Sequence, residues 1–73
     1  MKAMIFPEAD GKQRVTFGGV ILGYVRQVPG GWAGSTLSGE HIAYELGVVD
    51  AVRAVVAYSY PQIMVEVVEE EVH

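Results

Sequence analysis

The chain has 73 residues, 51% of them hydrophobic, and nine acidic against five basic side chains give it a formal net charge of −4. This length accommodates one small domain, residues 1–73, and the absence of cysteine excludes disulfides and cysteine-based zinc sites. The acidic balance disfavours both a generic nucleic-acid binder and docking on an anionic membrane face. The sequence has no ~20-residue apolar segment and no signal-peptide core, so we expect a cytoplasmic protein.

Turn-forming residues divide the first half of the chain into short apolar runs, a spacing typical of successive strands. The pair Gly18-Gly19 separates RVTF from VILGYVRQV and predicts a type I′ hairpin turn, because both residues of that turn need φ > 0. Pro29 with Gly30 predicts the next turn, since proline cannot donate to a sheet ladder, and Trp32 then opens a third strand.

The second half contains one ambiguous segment, one helix and one strand. Residues 40–46, EHIAYEL, alternate as a strand does, yet Ser38 and Gly47 could also bound a helix, and both interpretations stay open. Valines spaced three and four apart predict a helix over 48–59 that Pro61 ends. The alternation of QIMVEVV predicts a last strand, followed by a frayed acidic tail over 69–73.

These elements predict an α+β fold: a small antiparallel β-meander of four to five strands, one packed helix over 48–59 and a C-terminal strand. In the strand VILGYVRQV, both faces are apolar through Val25, whereas a sheet with one helix needs only one dry face. A core this small also contributes only ~3–5 kcal/mol by itself. We therefore expect a homo-oligomer or a protein partner. The expected partner-binding residues are Ile21, Tyr24, Val25 and Trp32.

For Trp32 the first expectation is that it packs across the glycine corner as part of the core or its rim, and the partner-facing anchor is the second. No pattern indicates catalysis or a cofactor. No serine has a histidine at a spacing typical of a catalytic base. The only possible metal ligands near His41 and His73 are acidic residues that we expect to be solvated. The glycines match neither the phosphate-loop spacing nor a dinucleotide fingerprint. The sequence therefore predicts no catalytic residue, no metal ligand, no cofactor and no enzymatic activity.

Two segments resemble known families. IAYELGVVDAVRAVV resembles a helix-turn-helix, with Gly47 at the turn and apolar residues on either side of it. VTFGGVILGYVRQVPGGWAG followed by DAVRAVVA resembles small β-meander-plus-helix domains of actinobacterial and actinobacteriophage proteins, and the β-β-β-α arrangement of integrase arm-type domains. The second resemblance is carried by Gly18, Gly19, Gly23, Trp32 and the helix over 51–55. It implies the fold and, for a small phage protein, binding to a host protein in the host cytoplasm.

The alternative function is recognition of nucleic acid, or imitation of it. Integrase-type domains present a basic sheet face, and here the residues expected to contact nucleic acid are Arg14, Arg26 and Arg53, with Lys12 nearby on the sheet. A DNA mimic would instead use acids that imitate the spacing of phosphates. Those acids are Glu66, Glu69, Glu70 and Glu71.

Overall fold

A computed structural model describes residues 2–8, 10–61 and 66–69, and within these residues the chain forms one six-stranded sheet and one helix. The strands are β1 (Lys2–Pro7), β2 (Lys12–Phe17), β3 (Val20–Val28), β4 (Gly31–Thr36), β5 (His41–Glu45) and β6 (Glu66–Glu69), and the helix is α1 (Val48–Ser59). The α+β fold class is confirmed, and the helix has the bounds that its valine spacing predicts.

Strands β1 to β5 form an antiparallel meander, and the sheet order is β5-β4-β3-β2-β1-β6. After β5, helix α1 carries the chain across one face of the sheet, and β6 pairs in parallel with β1 at the far edge. A helical crossover is the usual connection between strands that run in the same direction. The predicted C-terminal strand is confirmed over 66–69. The earlier residues of that strand, 62–65, and the tail residues 70–73 lie outside the described residues. Glu69, predicted to begin the tail, is the last residue of β6.

The hairpin between β2 and β3 has the predicted turn. Gly18 and Gly19 have φ of 60° and 80°, the left-handed values that a type I′ turn requires at both positions. The next turn, at Pro29, ends β3 at Val28 as predicted. Residues 41–45 form a strand that pairs with β4. The helix-turn-helix resemblance is therefore wrong, because its first helix would have to occupy this strand.

The core lies between α1 and the sheet. Helix α1 turns an alanine and valine face, which includes Val52 and Val55, onto strands whose alternate residues point toward it. Trp32 packs half-buried at the edge of this core, which agrees with the expected position in the core or its rim. Among the described residues, the buried core consists of Ala3, Ile5, Val15, Phe17, Val25, Ala51, Val52, Val55 and Val56.

Candidate functional site on the open face of the sheet

The face of the sheet opposite α1 is covered by no other element of the described chain. Strand alternation defines this face, because the residues on either side of each core position must point away from the helix. We call it the open face, and Phe6, Arg14 and Tyr24 form its central row, paired across β1, β2 and β3. Its other residues include Lys2, Met4, Lys12, Thr16, Ile21, Arg26, Ser35 and Tyr44.

Four of the five basic side chains lie on the open face. Lys2 belongs to β1, Lys12 and Arg14 to β2, and Arg26 to β3, each at a position that alternates with core residues. The fifth, Arg53, is exposed on α1 in the other layer. The net charge of the chain is negative, yet one face of its sheet is locally basic.

Two of these cations lie over aromatic rings. The Lys12 ammonium is 4.3 Å from the centroid of the Tyr24 ring, and the Arg14 guanidinium carbon is 4.9 Å from that of Phe6. Each such contact contributes about 0.5–1 kcal/mol at an exposed site. The charged groups therefore lie over the rings, and the result is a mixed basic and aromatic face.

The loop between β1 and β2 supplies a carboxylate to each guanidinium. Arg14 Nη1 lies 3.7 Å from Glu8 Oε2, and Arg26 Nη2 lies 3.7 Å from Asp10 Oδ2. Arg26 Nη1 also donates a hydrogen bond of 3.0 Å to the backbone oxygen of Asp10. The carboxylate contacts are long and partly exposed, so they add little stability, whereas the backbone bond fixes the position of Arg26.

A recess of about 430 Å³ opens on this face between β3, β4 and the turn that follows β4. The turn is held by backbone bonds of 2.9 Å from Thr36 N to Glu40 O and 3.0 Å from Gly39 N to Thr36 O. The Thr36 hydroxyl accepts from Glu40 N at 3.0 Å and lies 3.1 Å from the Ser38 hydroxyl. The recess is lined by Lys12, Tyr24, Arg26, Ser35, Leu37, Ser38 and Gly39.

The four predicted partner-binding residues do not form one surface. Tyr24 and Ile21 lie on the open face, and Ile21 is 38% exposed near the hairpin. Val25 points toward α1 with no exposed area, so it is a core residue and cannot contact a partner in this fold. Trp32 also lies on the helix side. The prediction grouped residues of β3 that point to opposite faces of the sheet. A bulge at Leu22, opposite the step from Val15 to Thr16, also interrupts the alternation within β3.

The residues of the alternative function are also divided between the two layers. Arg14 and Arg26 lie together on the open face, but Arg53 is on the opposite side of the molecule. The proposed mimic residues Glu66 and Glu69 belong to edge strand β6, and Glu70 and Glu71 lie outside the described residues. Sequence reasoning missed Phe6 and Ser35. Alternation counted from the core positions of each strand would have placed both beside Arg14 and Tyr24.

This arrangement can bind an anionic group and bury apolar surface beside it. In the part of the chain that the structure describes, histidines and acids form no group of three that could hold a metal ion. No helix found there has the length and apolar character needed to cross a membrane. Comparison of the chain with protein-family models, curated proteins and solved structures gives no match.

Proposed function

We propose that the protein is a non-enzymatic interaction module that binds an acidic segment of a protein partner through the open face. The observation that carries this proposal is the concentration of four of the five basic side chains, together with Phe6 and Tyr24, on an uncovered sheet face. Interface cores are enriched in aromatic residues and arginine. We place this role in a bacterial cytoplasm, or in that of the host if a phage encodes the chain.

The open face supports an acidic peptide better than a nucleic acid. Single-stranded nucleic acids bind by stacking bases on free aromatic rings. Here Lys12 and Arg14 already lie over the rings of Tyr24 and Phe6. Glu8 and Asp10 also offset part of the positive charge, so the face lacks the large cationic surplus that phosphate backbones require. A segment with a few acids and apolar side chains matches this balance.

Self-association is a special case of the same proposal. The sequence EVVEEE at 66–71 contains four acids, two of which, Glu66 and Glu69, belong to edge strand β6, so a second copy of the chain could present this acidic edge to the open face. Such association would depend on charge and would weaken as salt screens the acids. Light scattering at increasing concentration, at low and moderate salt, measures whether the partner is a second copy.

The test selects peptides without assuming the partner. Random twelve-residue peptides displayed on phage are selected on the immobilised protein, and the enriched sequences are resynthesised with a fluorophore for anisotropy measurements. We expect enriched peptides to combine acidic and apolar residues. The double variant Arg14→Gln/Arg26→Gln should weaken binding by about tenfold or more, as two charged contacts predict. Arg53→Gln, which removes the same charge from the other layer, should bind as the parent protein does.

Three results would contradict the proposal. Enriched peptides without acids, or equal binding by the double variant and the parent, would show that the open face does not select acidic segments. Tighter binding of a labelled oligothymidine than of any selected peptide, with a steep salt dependence, would favour the nucleic-acid function instead.

A further inference from the structure

We propose that the recess on the open face is a phosphate pocket, which receives the phosphate monoester of a phosphoserine-like side chain carried by the partner segment. The identity of the carrier rests on the proposed function, whereas the chemistry of the pocket rests on its own residues. Lys12 and Arg26 supply two positive charges at the recess, and Ser35 and Ser38 supply hydroxyl groups.

The charge of the lining matches a phosphate better than a carboxylate. A phosphate monoester carries about −1.5 to −2 at neutral pH and three strong acceptor oxygens, whereas a glutamate carries a single charge. Two cations can be compensated by the one phosphate, and the guanidinium of Arg26 can bind two of its oxygens at once. The hydroxyls of Ser35 and Ser38 are additional donors for the remaining oxygen.

Both cations are held in place without a ligand. Arg26 Nη1 donates to the Asp10 backbone oxygen at 3.0 Å, and the Lys12 ammonium lies 4.3 Å from the centre of the Tyr24 ring. Side chains that are already positioned lose less freedom on binding than free ones do. The hydrogen bonds of Thr36 fix the turn that carries Ser38 in the same way.

Asp10 does not line the recess, but its carboxylate already contacts the guanidinium of Arg26. Its carboxylate lies 3.7 Å from Arg26 Nη2, so an incoming phosphate must compete with it for the guanidinium. The Asp10→Asn variant keeps the backbone oxygen that positions Arg26 and removes only the competing charge. The structure therefore predicts tighter phosphate binding in this variant, which is an effect that damage to the fold would not produce.

The size of the recess suits an amino-acid side chain with its flanking backbone. Its volume of about 430 Å³ falls within the range of small-ligand sites, roughly 300–1,000 Å³. Leu37 is 55% exposed at its wall and offers apolar contact to a residue beside the phosphate. Lys12 over the Tyr24 ring leaves that face of the ring unavailable to a nucleobase, which favours a phosphorylated side chain over a nucleotide.

The experiment uses three small probes that differ only in the side-chain group. Phosphoserine, glutamate and serine, each with an acetylated amino group and a methylamide at the carboxyl end, are titrated into ¹⁵N-labelled protein at constant ionic strength. We expect phosphoserine to shift the amide resonances of residues 35–39 and to bind about tenfold more tightly than glutamate. Blocked serine should cause no shift. Every variant is first checked for the dispersed spectrum of the parent.

Three variants test the assignment of the residues. Arg26→Gln should weaken phosphoserine binding by about tenfold, and Asp10→Asn should strengthen it by about threefold or more. Arg53→Gln should leave it unchanged. Three results would each refute the phosphate pocket. The protein could bind glutamate and phosphoserine with equal affinity, the amide resonances around Arg53 could shift as much as those around the recess, or Asp10→Asn could bind phosphoserine no more tightly than the parent.

The two proposals can fail separately. If selected acidic peptides bind the open face while blocked phosphoserine does not bind, the pocket is refuted and the interaction module stands. If blocked phosphoserine binds at residues 35–39 while no acidic peptide is selected, the pocket is supported and the proposed partner class is refuted.

Discussion

The packing of α1 onto β4 depends on the missing side chain of Gly34. A Cβ added at Gly34 would lie 2.8 Å from Val55 Cγ2 and 3.4 Å from the backbone oxygen of Ala51. The valine methyl cannot easily move away, because a β-branched side chain in a helix has one strongly preferred rotamer. Gly34→Ala should therefore push the helix from the sheet. Such overpacking destabilises by about 1–3 kcal/mol, and the gain from replacing a flexible glycine offsets up to ~1 kcal/mol of it.

A double-mutant cycle with Val55→Ala isolates this contact. Val55 is 1% exposed, and removing two methyl groups should cost about 1.6 kcal/mol by transfer, and about 2–3 kcal/mol with the cavity that remains. In the double variant the new methyl at position 34 occupies part of that cavity. We expect its loss of stability to be about 1–2 kcal/mol smaller than the sum of the single losses.

Urea unfolding followed by far-ultraviolet circular dichroism measures all four proteins of the cycle. Because a domain of this size has only a few kcal/mol of stability, the titrations need a stabilising osmolyte at one fixed concentration. Gly47→Ala is the control, since the nearest atom to its added Cβ is 3.9 Å away. Gly47 is the N-cap of α1, so alanine should cost roughly 0.5–1 kcal/mol there, and the lower entropy of the unfolded chain offsets about 0.4–1 kcal/mol of that cost. Additive losses, or a stable Gly34→Ala variant, would show that the helix does not rest on β4 at this position.

Three further substitutions test the turns and the edges of the core. Trp32→Ala removes a half-buried ring from the edge of the core. It should lower the stability by about 2 kcal/mol, roughly half the value for a fully buried aromatic residue, and an unchanged melting temperature would contradict its packing. Gly19→Ala, at a φ of 80°, should cost about 1–2 kcal/mol in thermal unfolding, whereas Gly19→Asn should cost less, and equal losses would argue against the left-handed turn. Tyr44→Phe removes an exposed hydrogen bond of 3.2 Å from the Tyr44 hydroxyl to the Pro29 backbone oxygen. The free energy of unfolding, measured in urea, should fall by less than about 1 kcal/mol, and a larger loss would mean that this bond holds the corner of the sheet.

Local signals explain which parts of the fold the sequence predicts. Two adjacent glycines leave few alternatives to a tight hairpin, and the valine spacing of 48–59 gives the helix its bounds because both depend on neighbouring residues only. Residues 40–46 were ambiguous for the opposite reason. These residues form a strand because they pair with β4, and the hydrophobic alternation of so short a segment cannot reveal that pairing. The parallel pairing of β6 with β1 joins the two ends of the chain, so no local pattern predicts it.

The candidate site was harder to predict than the fold, because β3 is apolar on both sides. Helix α1 packs on the face of the sheet where glycines, which have no side chain, let the helix come close to the strand backbone. Gly23 and Gly34 both lie under Val55, and they place Val25 in the core and Tyr24 on the open face. Net charge is misleading as well, because it adds the bases of the open face to acids that come mostly from loops and from the sequence at 66–71. Counting charges for each strand face separately, once the core face is known, recovers the basic surface.

A bare sheet face needs charges to remain in solution, and this need alone could explain Lys12 or Arg26. Either sign of charge would serve that purpose. Acids outnumber bases nine to five in this chain, yet among the described strands the one acid at an open-face position is Glu66, which is paired with Lys2 on edge strand β6. The carboxylates of Glu8 and Asp10 reach Arg14 and Arg26 from the loop before β2, each at 3.7 Å, and an incoming anion can replace them. The choice of sign therefore favours an anionic partner over solubility as the reason for this face.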